Sequence, residues 1–422
     1  ALVAAVICGL PHLVMIAEHG PQYTPFSVVG ASGVIFDETI AYAPRVQEVL
    51  EGRYLSGDPH GFEHKGNWTR ALPLLLPTTV LAGLARLLGG SVVALFIIAD
   101  FVFPALGALC AYYVARNFGA SQGAALCSAL LVVLGADLIF LPKLLVFSPV
   151  AAVRGPILAL EHPVPLEFSR TFVPQFSYLL VLLAVLVLQR ALLLRSTGWT
   201  ISAGAVAGLL FYTYAYAWTY VLCALLVCAL WLLAQRDKEA AGRVLIMAAV
   251  ALAVGAPMGL VLILDLRAGP SPEMMRLGAG WTPLPWMRLA GRLGVSVLFL
   301  LIYPRKRPEF PLVAAMLLAP LLCALVSDLS GLRLQDWHWI WRYWMPWLLL
   351  CAPVLVEALL GQRWRVPRWA WAALALLVVA YGANRQCRWA IEGAPAHLLE
   401  HDRAEGLSWL AENAPRDAVV VG

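Results

Sequence analysis

Charge is what this sequence has least of. Asp, Glu, Lys and Arg together supply 13% of its 422 residues, against 61% hydrophobic ones, and the mean hydropathy is +0.78. A soluble domain carries about 25% charged residues, so that class is excluded and a polytopic membrane protein is expected. The net charge of +5 is not a nucleic-acid signature, because Lys and Arg fall in short clusters between apolar runs, where membrane topology accounts for them. No disulfide framework is visible either. Seven of the eight cysteines (Cys8, Cys110, Cys127, Cys223, Cys228, Cys323, Cys351) lie inside apolar runs and Cys387 stands alone. The chain opens "ALVAAVICGLPHLVMIAEHG", without Met or a basic flank, so a first spanning helix with residues missing upstream is expected rather than a signal peptide. It closes "AENAPRDAVVVG", a strand-like run just begun, which implies that the natural protein continues.

What is present is a series of apolar runs. A span needs about 20 apolar residues, and cytoplasmic loops are the ones rich in Lys and Arg. With residues 1–17 entering from the cytoplasm, further spans fall near 92–114, 121–142, 173–193, 200–217, 218–234, 243–264, 287–303, 310–328, 345–361 and 368–384. The expected fold is therefore an all-α membrane bundle of about eleven helices. This phase puts "ARNFGAS", "QRALLLRSTGW", "AQRDKEAAGR", "YPRKRPEF" and "GQRWRVPRW" on the cytoplasmic side, and nearly all carry two or more basic residues. Residues 71–90, "ALPLLLPTTVLAGLARLLGG", would invert every later loop if they crossed, so they read as a re-entrant or interfacial helix on the outer side. The external parts are then a large first loop 18–91, a second 143–172, later ones 265–286 and 329–344, and a tail from 385 to 422 that begins a C-terminal domain.

The first loop holds "GVIFDETIAYAPRVQEVLEGRYLSGDPHGFEHKGNWTR". After Asp37 and Glu38 the spacing puts Ile40, Ala43, Val46, Val49 and Leu50 on one face, with Arg45, Glu48 and Glu51 on the other. Pro44 predicts a short turn followed by a helix from Pro44 to Gly52, lying along the membrane surface. Asp37 and Glu38 can simply cap that helix. The further Asp58, His60, Glu63, His64 and Lys65 are more ionisable groups than a connector needs.

An emerging first helix, an acidic pair, "RVQEVLEG", a Pro-rich apolar helix, "AYYVARNFGASQGAALCSALLVV" and the late "RYWMPWLLLCAPVLVEALL" follow in an order that resembles the C-type (GT-C) glycosyltransferase superfamily. That superfamily includes the catalytic subunit of oligosaccharyltransferase, protein O-mannosyltransferases and aminoarabinose transferases. The resemblance covers most of the chain. It implies a GT-C-like transmembrane domain over 1–384, a sugar donor on polyprenyl phosphate or pyrophosphate, a protein, lipid or glycan acceptor, and an active site on the extracytoplasmic face. Asp37 falls on the family's catalytic acidic position and Glu38 completes the pair. The oligosaccharyltransferase hallmark "WWDYG" does not occur here.

Sugar transfer from a lipid phosphate needs a carboxylate to accept or orient the acceptor's proton, the role expected of Asp37. The leaving phosphate needs cations. Candidates are Arg342, on the "RY..P" position, with Arg170, His162 and His338. Glu161 or Glu167 can join Asp37 around Mg²⁺ or Mn²⁺, or the enzyme works without metal. Among "LRLQDWHWIWRYWMPW" the tryptophans fit an aromatic belt at the membrane interface. Asp100 and Asp137 lie within spans and are expected to face the bundle or sit near a span end, Asp137 near the outer one, where it can contribute to the site or satisfy a helix end. "FYTYAYAWTY", 211–220, reads as core packing or as a cradle for a prenyl chain or sugar. The plasma or inner membrane of a prokaryote is the expected location. Two other functions remain open: a transporter or flippase with an acidic relay, though no internal repeat is evident, and a non-catalytic scaffold subunit of a membrane complex.

Overall fold

The computed structural model describes residues 1–20, 28–29, 36–54, 74–135, 166–169, 171–268, 286–329, 336–360 and 366–393, with 406, 409–410 and 413. Apart from two paired two-residue strands, β1 (Val28–Val29) and β2 (Phe36–Asp37), the regular structure described is helical. Among the described residues thirteen helices carry the fold: α1 (Leu2–His19), α2 (Glu38–Leu50), α3 (Leu75–Leu87), α4 (Val92–Asn117), α5 (Gln122–Leu134), α6 (Ser177–Leu194), α7 (Thr197–Leu209), α8 (Ala215–Ala234), α9 (Lys238–Ala268), α10 (Trp286–Ile302), α11 (Phe310–Leu329), α12 (Met345–Leu360) and α13 (Arg368–Arg388). Six stretches among the described residues are long and apolar enough to cross a membrane: Val92–Asn117, Pro174–Leu194, Ala215–Ala234, Lys238–Val261, Phe310–Ser327 and Ile340–Leu360. The chain thus has the helices of an integral membrane protein. All eight cysteines are free.

The faces of α8 show how such a helix is divided. Tyr216, Ala217, Tyr220, Ala224 and Cys228 are buried against the bundle while Leu226, Leu230 and Leu233 stand 45% or more exposed. Apolar side chains on both faces suit a helix with protein on one side and hydrocarbon on the other. Close approach is made by small residues where α7 meets α9. A Cβ on Gly204 would lie 2.6 Å from Val250 Cβ and 2.7 Å from the Met247 carbonyl oxygen, and one on Gly208 2.5 Å from Val254 Cβ. Gly204→Ala is therefore expected to destabilise the protein by about 1–3 kcal/mol through overpacking, read from the unfolding midpoint in detergent. Gly242→Ala, where nothing lies within 4 Å of an added Cβ, serves as the control.

The basic linkers share one end of the bundle. Asn117 Nδ2, at the end of α4, donates to Gln189 Oε1 of α6 at 3.0 Å, and Gly119 lies against the Arg307 guanidinium of the α10–α11 turn. Ser121 N donates to Glu357 Oε2 of α12 at 2.6 Å, and Trp371 Nε1 of α13 to Glu357 Oε1 at 3.1 Å. Arg195, between α6 and α7, pairs with Glu239 at the start of α9 at 3.1 Å. The turns α4–α5, α6–α7, α8–α9 and α10–α11 and the flanks of α12–α13 thus gather together.

Some boundaries differ from those expected. Helix α2 begins at Glu38 and runs through Pro44, so no separate turn precedes it. The loss of the one hydrogen bond that Pro44 cannot donate is offset by packing of Val46 and Val49 on Leu81, Ala82 and Ala85 of α3. Ala43, Val46, Val49 and Leu50 do form the buried side, but Glu48 is buried as well, drawn in by its ion pair with Arg53. At 13 residues, α3 is about 20 Å long against a hydrocarbon core of about 30 Å. It buries Pro77, Thr78, Leu81, Ala82 and Ala85 against protein but leaves Val80, Leu84 and Leu87 exposed, so it is covered on one side only. Helix α13 and its continuation run on to Gly393 rather than stopping at 384, because Trp389 and Ala390 are buried beside α1. The expected continuation of α5 through 136–142, and Asp137 in it, lie outside the described residues.

Candidate functional site

At the end opposite the basic linkers, three chain segments widen into π-turns: Thr171–Phe176 before α6, Ile340–Trp344 before α12 and Trp389–Gly393 after α13. A π-turn inserts one residue into the helical ladder and re-aims side chains, and such turns concentrate at functional sites. Arg342 lies in the second of them. Its side chain is drawn into the protein, 3% exposed, where Nη1 donates to the Tyr214 hydroxyl at 2.5 Å and Cζ stands 5.2 Å from the Tyr214 ring centroid. Tyr214 has a single hydroxyl proton, and having accepted from Arg342 it gives that proton to His338 Nδ1. The imidazole then carries its own proton on Nε2, and its ring stacks on Tyr216 with centroids 4.4 Å apart. Residues 336–344 and the aromatic run 211–220 are thereby brought together.

Three of the tryptophans here are core rather than interface belt. Trp339, Trp344 and Trp347 are at most 3% exposed. Trp339 Nε1 donates to Thr219 Oγ1 at 3.0 Å and Trp344 Nε1 to Ser296 Oγ at 2.9 Å, so the indole N–H groups of those two are satisfied inside the bundle.

The first loop reaches the same region. Asp37 closes β2, opposite Val28, and Glu38 opens α2. Tyr42, one turn further along α2, packs on the same apolar cluster as Tyr214, the cluster that holds Phe96, Phe103 and Phe176. The backbone of Asp37 and Glu38 is thus tied to the end of the bundle that holds Arg342. Their side chains, and that of Glu167, are not among those described; Arg170, His162 and Glu161 lie outside the described residues altogether. Among the described residues no three His, Cys, Asp or Glu side chains converge to hold a metal ion. The carboxylates expected to do so, Asp37, Glu161 and Glu167, are not among the side chains to which this applies.

A second polar cluster, beside the first π-turn, was visible in the sequence only as Asp100. Asp100 and His12 are each 5% exposed, and His12 Nε2 donates to Asp100 Oδ2 at 2.7 Å. Gln175 Nε2 donates to Asp100 Oδ1 at 3.0 Å and to the Phe168 carbonyl at 2.5 Å. From the other side, Gln386 of α13 accepts the Leu166 N–H at 3.1 Å and donates to Ser169 Oγ at 2.6 Å and the Cys8 carbonyl at 3.1 Å. Pro104 has no N–H to offer the Asp100 carbonyl one turn back, which loosens α4 at this level. Two buried amides and an ionisable pair therefore grip the short turn Leu166–Ser169. In sequence, a polar residue within an apolar run is the signal that could have found His12 and Gln175; Gln386, between Arg385 and Arg388, offers none, and nothing there pairs α1 with α4 or α13 with residue 166. At the rim, the Arg388 guanidinium holds the exposed Glu392 carboxyl below its usual range, with Arg388 Nη2 donating to Glu392 Oε2 at 2.9 Å.

Gln386→Leu is expected to release this turn. The Leu166 amide, paired with Gln386 Oε1, should exchange its hydrogen at least tenfold faster, about 1.4 kcal/mol of protection lost for one buried hydrogen bond. Amides in the core of α8 should be unchanged. Equal exchange at Leu166 in both proteins would show that the clamp does not hold it.

No family model matches this chain, and no curated protein matches it.

Proposed function

We propose that this protein is a membrane glycosyltransferase of the GT-C type, with about eleven spans, that moves a sugar from a polyprenyl phosphate or pyrophosphate to a protein, lipid or glycan. Basic linkers face the cytoplasm of a prokaryotic cell, so the site works on the extracytoplasmic face of the plasma or inner membrane. The reading is carried by one observation: a buried Arg342, oriented by Tyr214, sits at the end of the bundle opposite the basic linkers, and Tyr42 of the helix that begins at Glu38 packs on the same apolar cluster as Tyr214.

In this reading Asp37 accepts the proton of the acceptor hydroxyl or amide, assisted by Glu38. The bond from the acceptor to the anomeric carbon forms while the bond from that carbon to the phosphate oxygen breaks. The electron pair stays on the phosphate, where Arg342 neutralises the charge that develops, Arg170 and His162 are the further cationic candidates, and His338 can donate a hydrogen bond. A guanidinium suits this task because its planar fork can give two parallel hydrogen bonds to one phosphate. If Mg²⁺ or Mn²⁺ takes part, Asp37, Glu161 and Glu167 are its ligands, and it neutralises charge on the donor phosphate.

The test is transfer of a labelled sugar from a polyprenyl-linked donor by membranes containing the protein. Asp37→Asn should lower transfer by about 10²–10⁴-fold, the range of a lost general base. Wild-type rates in that variant would remove Asp37 from the mechanism. One observation favours a different reading. His12 and Asp100 form an ionisable pair inside the bundle, as a transporter's proton relay would. Purified protein in liposomes that moves a solute and transfers no sugar would establish that reading instead.

A further inference from the structure

Between α4, α6 and α7, at the end of the bundle that carries the basic linkers, lies a groove of about 310 Å³. Its walls are Tyr113, Leu186 and Val187, and its rim is Asn117, Arg190 and Trp199. The cations nearby are engaged: Arg195 and Arg243 share Glu239, and Arg116 gives Nη1 to the Ala120 carbonyl. Arg190 is exposed, and among the described residues it makes neither an ion pair nor a hydrogen bond. Among the described residues no carboxylate lines the groove. Leu186 lies one turn before Arg190, about 6 Å deeper along α6, so hydrocarbon surface continues beneath a guanidinium. Trp199 and Tyr113 are side chains suited to headgroup level.

An occupant must therefore have an apolar tail and an anionic head. A transmembrane helix of another protein is disfavoured, because covering Arg190 with apolar residues would strand its charge. We propose that this groove seats one anionic glycerophospholipid of the leaflet on the basic-linker side, with an acyl chain against Leu186 and Val187 and its phosphate on Arg190. The site lies at the opposite end from Arg342 and does not depend on sugar transfer.

The experiment is native mass spectrometry of the full chain, released from detergent after incubation with phosphatidylglycerol or with phosphatidylcholine of the same acyl chains. One phosphatidylglycerol per chain is expected to be retained roughly fivefold more strongly than phosphatidylcholine, the contribution of one basic residue at the surface. Arg190→Gln should bring the two lipids to parity, and Trp199→Ala should weaken retention of both. Soluble glycerol phosphate should not displace the lipid. Equal retention by the wild type, an undiminished preference in Arg190→Gln, displacement by glycerol phosphate, or a lipid-free dimer that covers the groove would each overturn the proposal.

Discussion

Substituting glutamine for Arg342 is expected to lower sugar transfer by about 10²–10³-fold, the loss on removing one preorganised donor to a developing oxyanion. Preorganisation is the physical point. The guanidinium is held by the Tyr214 hydroxyl at 2.5 Å and lies near the face of its ring, so its position is fixed before a phosphate arrives. Arg342→Lys keeps the charge but loses the planar fork, and should recover only part of the rate. A phosphate ligand raises the donor KM or lowers kcat when removed, whereas a structural arginine lowers the unfolding midpoint and leaves both constants of the surviving protein unchanged. Kinetics on detergent-stable Arg342→Gln that match the wild type would assign the residue to packing. Tyr214→Phe separates these further: it removes the hydroxyl that bridges Arg342 and His338 and keeps the ring.

Asp100→Leu is expected to destabilise the protein by about 2–5 kcal/mol, at about 1–3 kcal/mol for each buried donor left without a partner. Both carboxylate oxygens are engaged, one by His12 and one by Gln175, so leucine would strand two buried donors at once. The double variant Asp100→Leu with His12→Leu should lose less than the sum of the two single losses and be more stable than Asp100→Leu alone, because removing His12 as well takes away one of the two stranded donors. Chemical unfolding in detergent checks this. Additive losses would mean that the pair is not coupled.

How much of this was legible in the sequence can be judged residue by residue. The hydropathy pattern located the apolar helices, and the clustering of Arg and Lys predicted that the short linkers belong together; Asn117 with Gln189, Ser121 with Glu357 and Arg195 with Glu239 place them at one end. The face Ala43, Val46, Val49 and Leu50 of α2 was readable because its period is local. Its start was not. Proline propensity argued for a break at Pro44, and packing on α3 outweighed it. Tryptophans near a span end look alike in sequence whether they face headgroups or core. Thr219 and Ser296, the partners that decide the matter for Trp339 and Trp344, lie 120 and 48 residues away.

The sequence by itself determined that this chain inserts into a membrane and where most of its helices run, because transfer of apolar side chains from water is a property each segment carries alone. Which polar side chains meet was decided by tertiary structure. His12 and Asp100 are 88 residues apart, Tyr214 and Arg342 are 128 apart, and Leu166 and Gln386 are 220 apart. A hydrogen bond needs its partners within about 3 Å and correctly oriented, a condition that only the packed bundle sets.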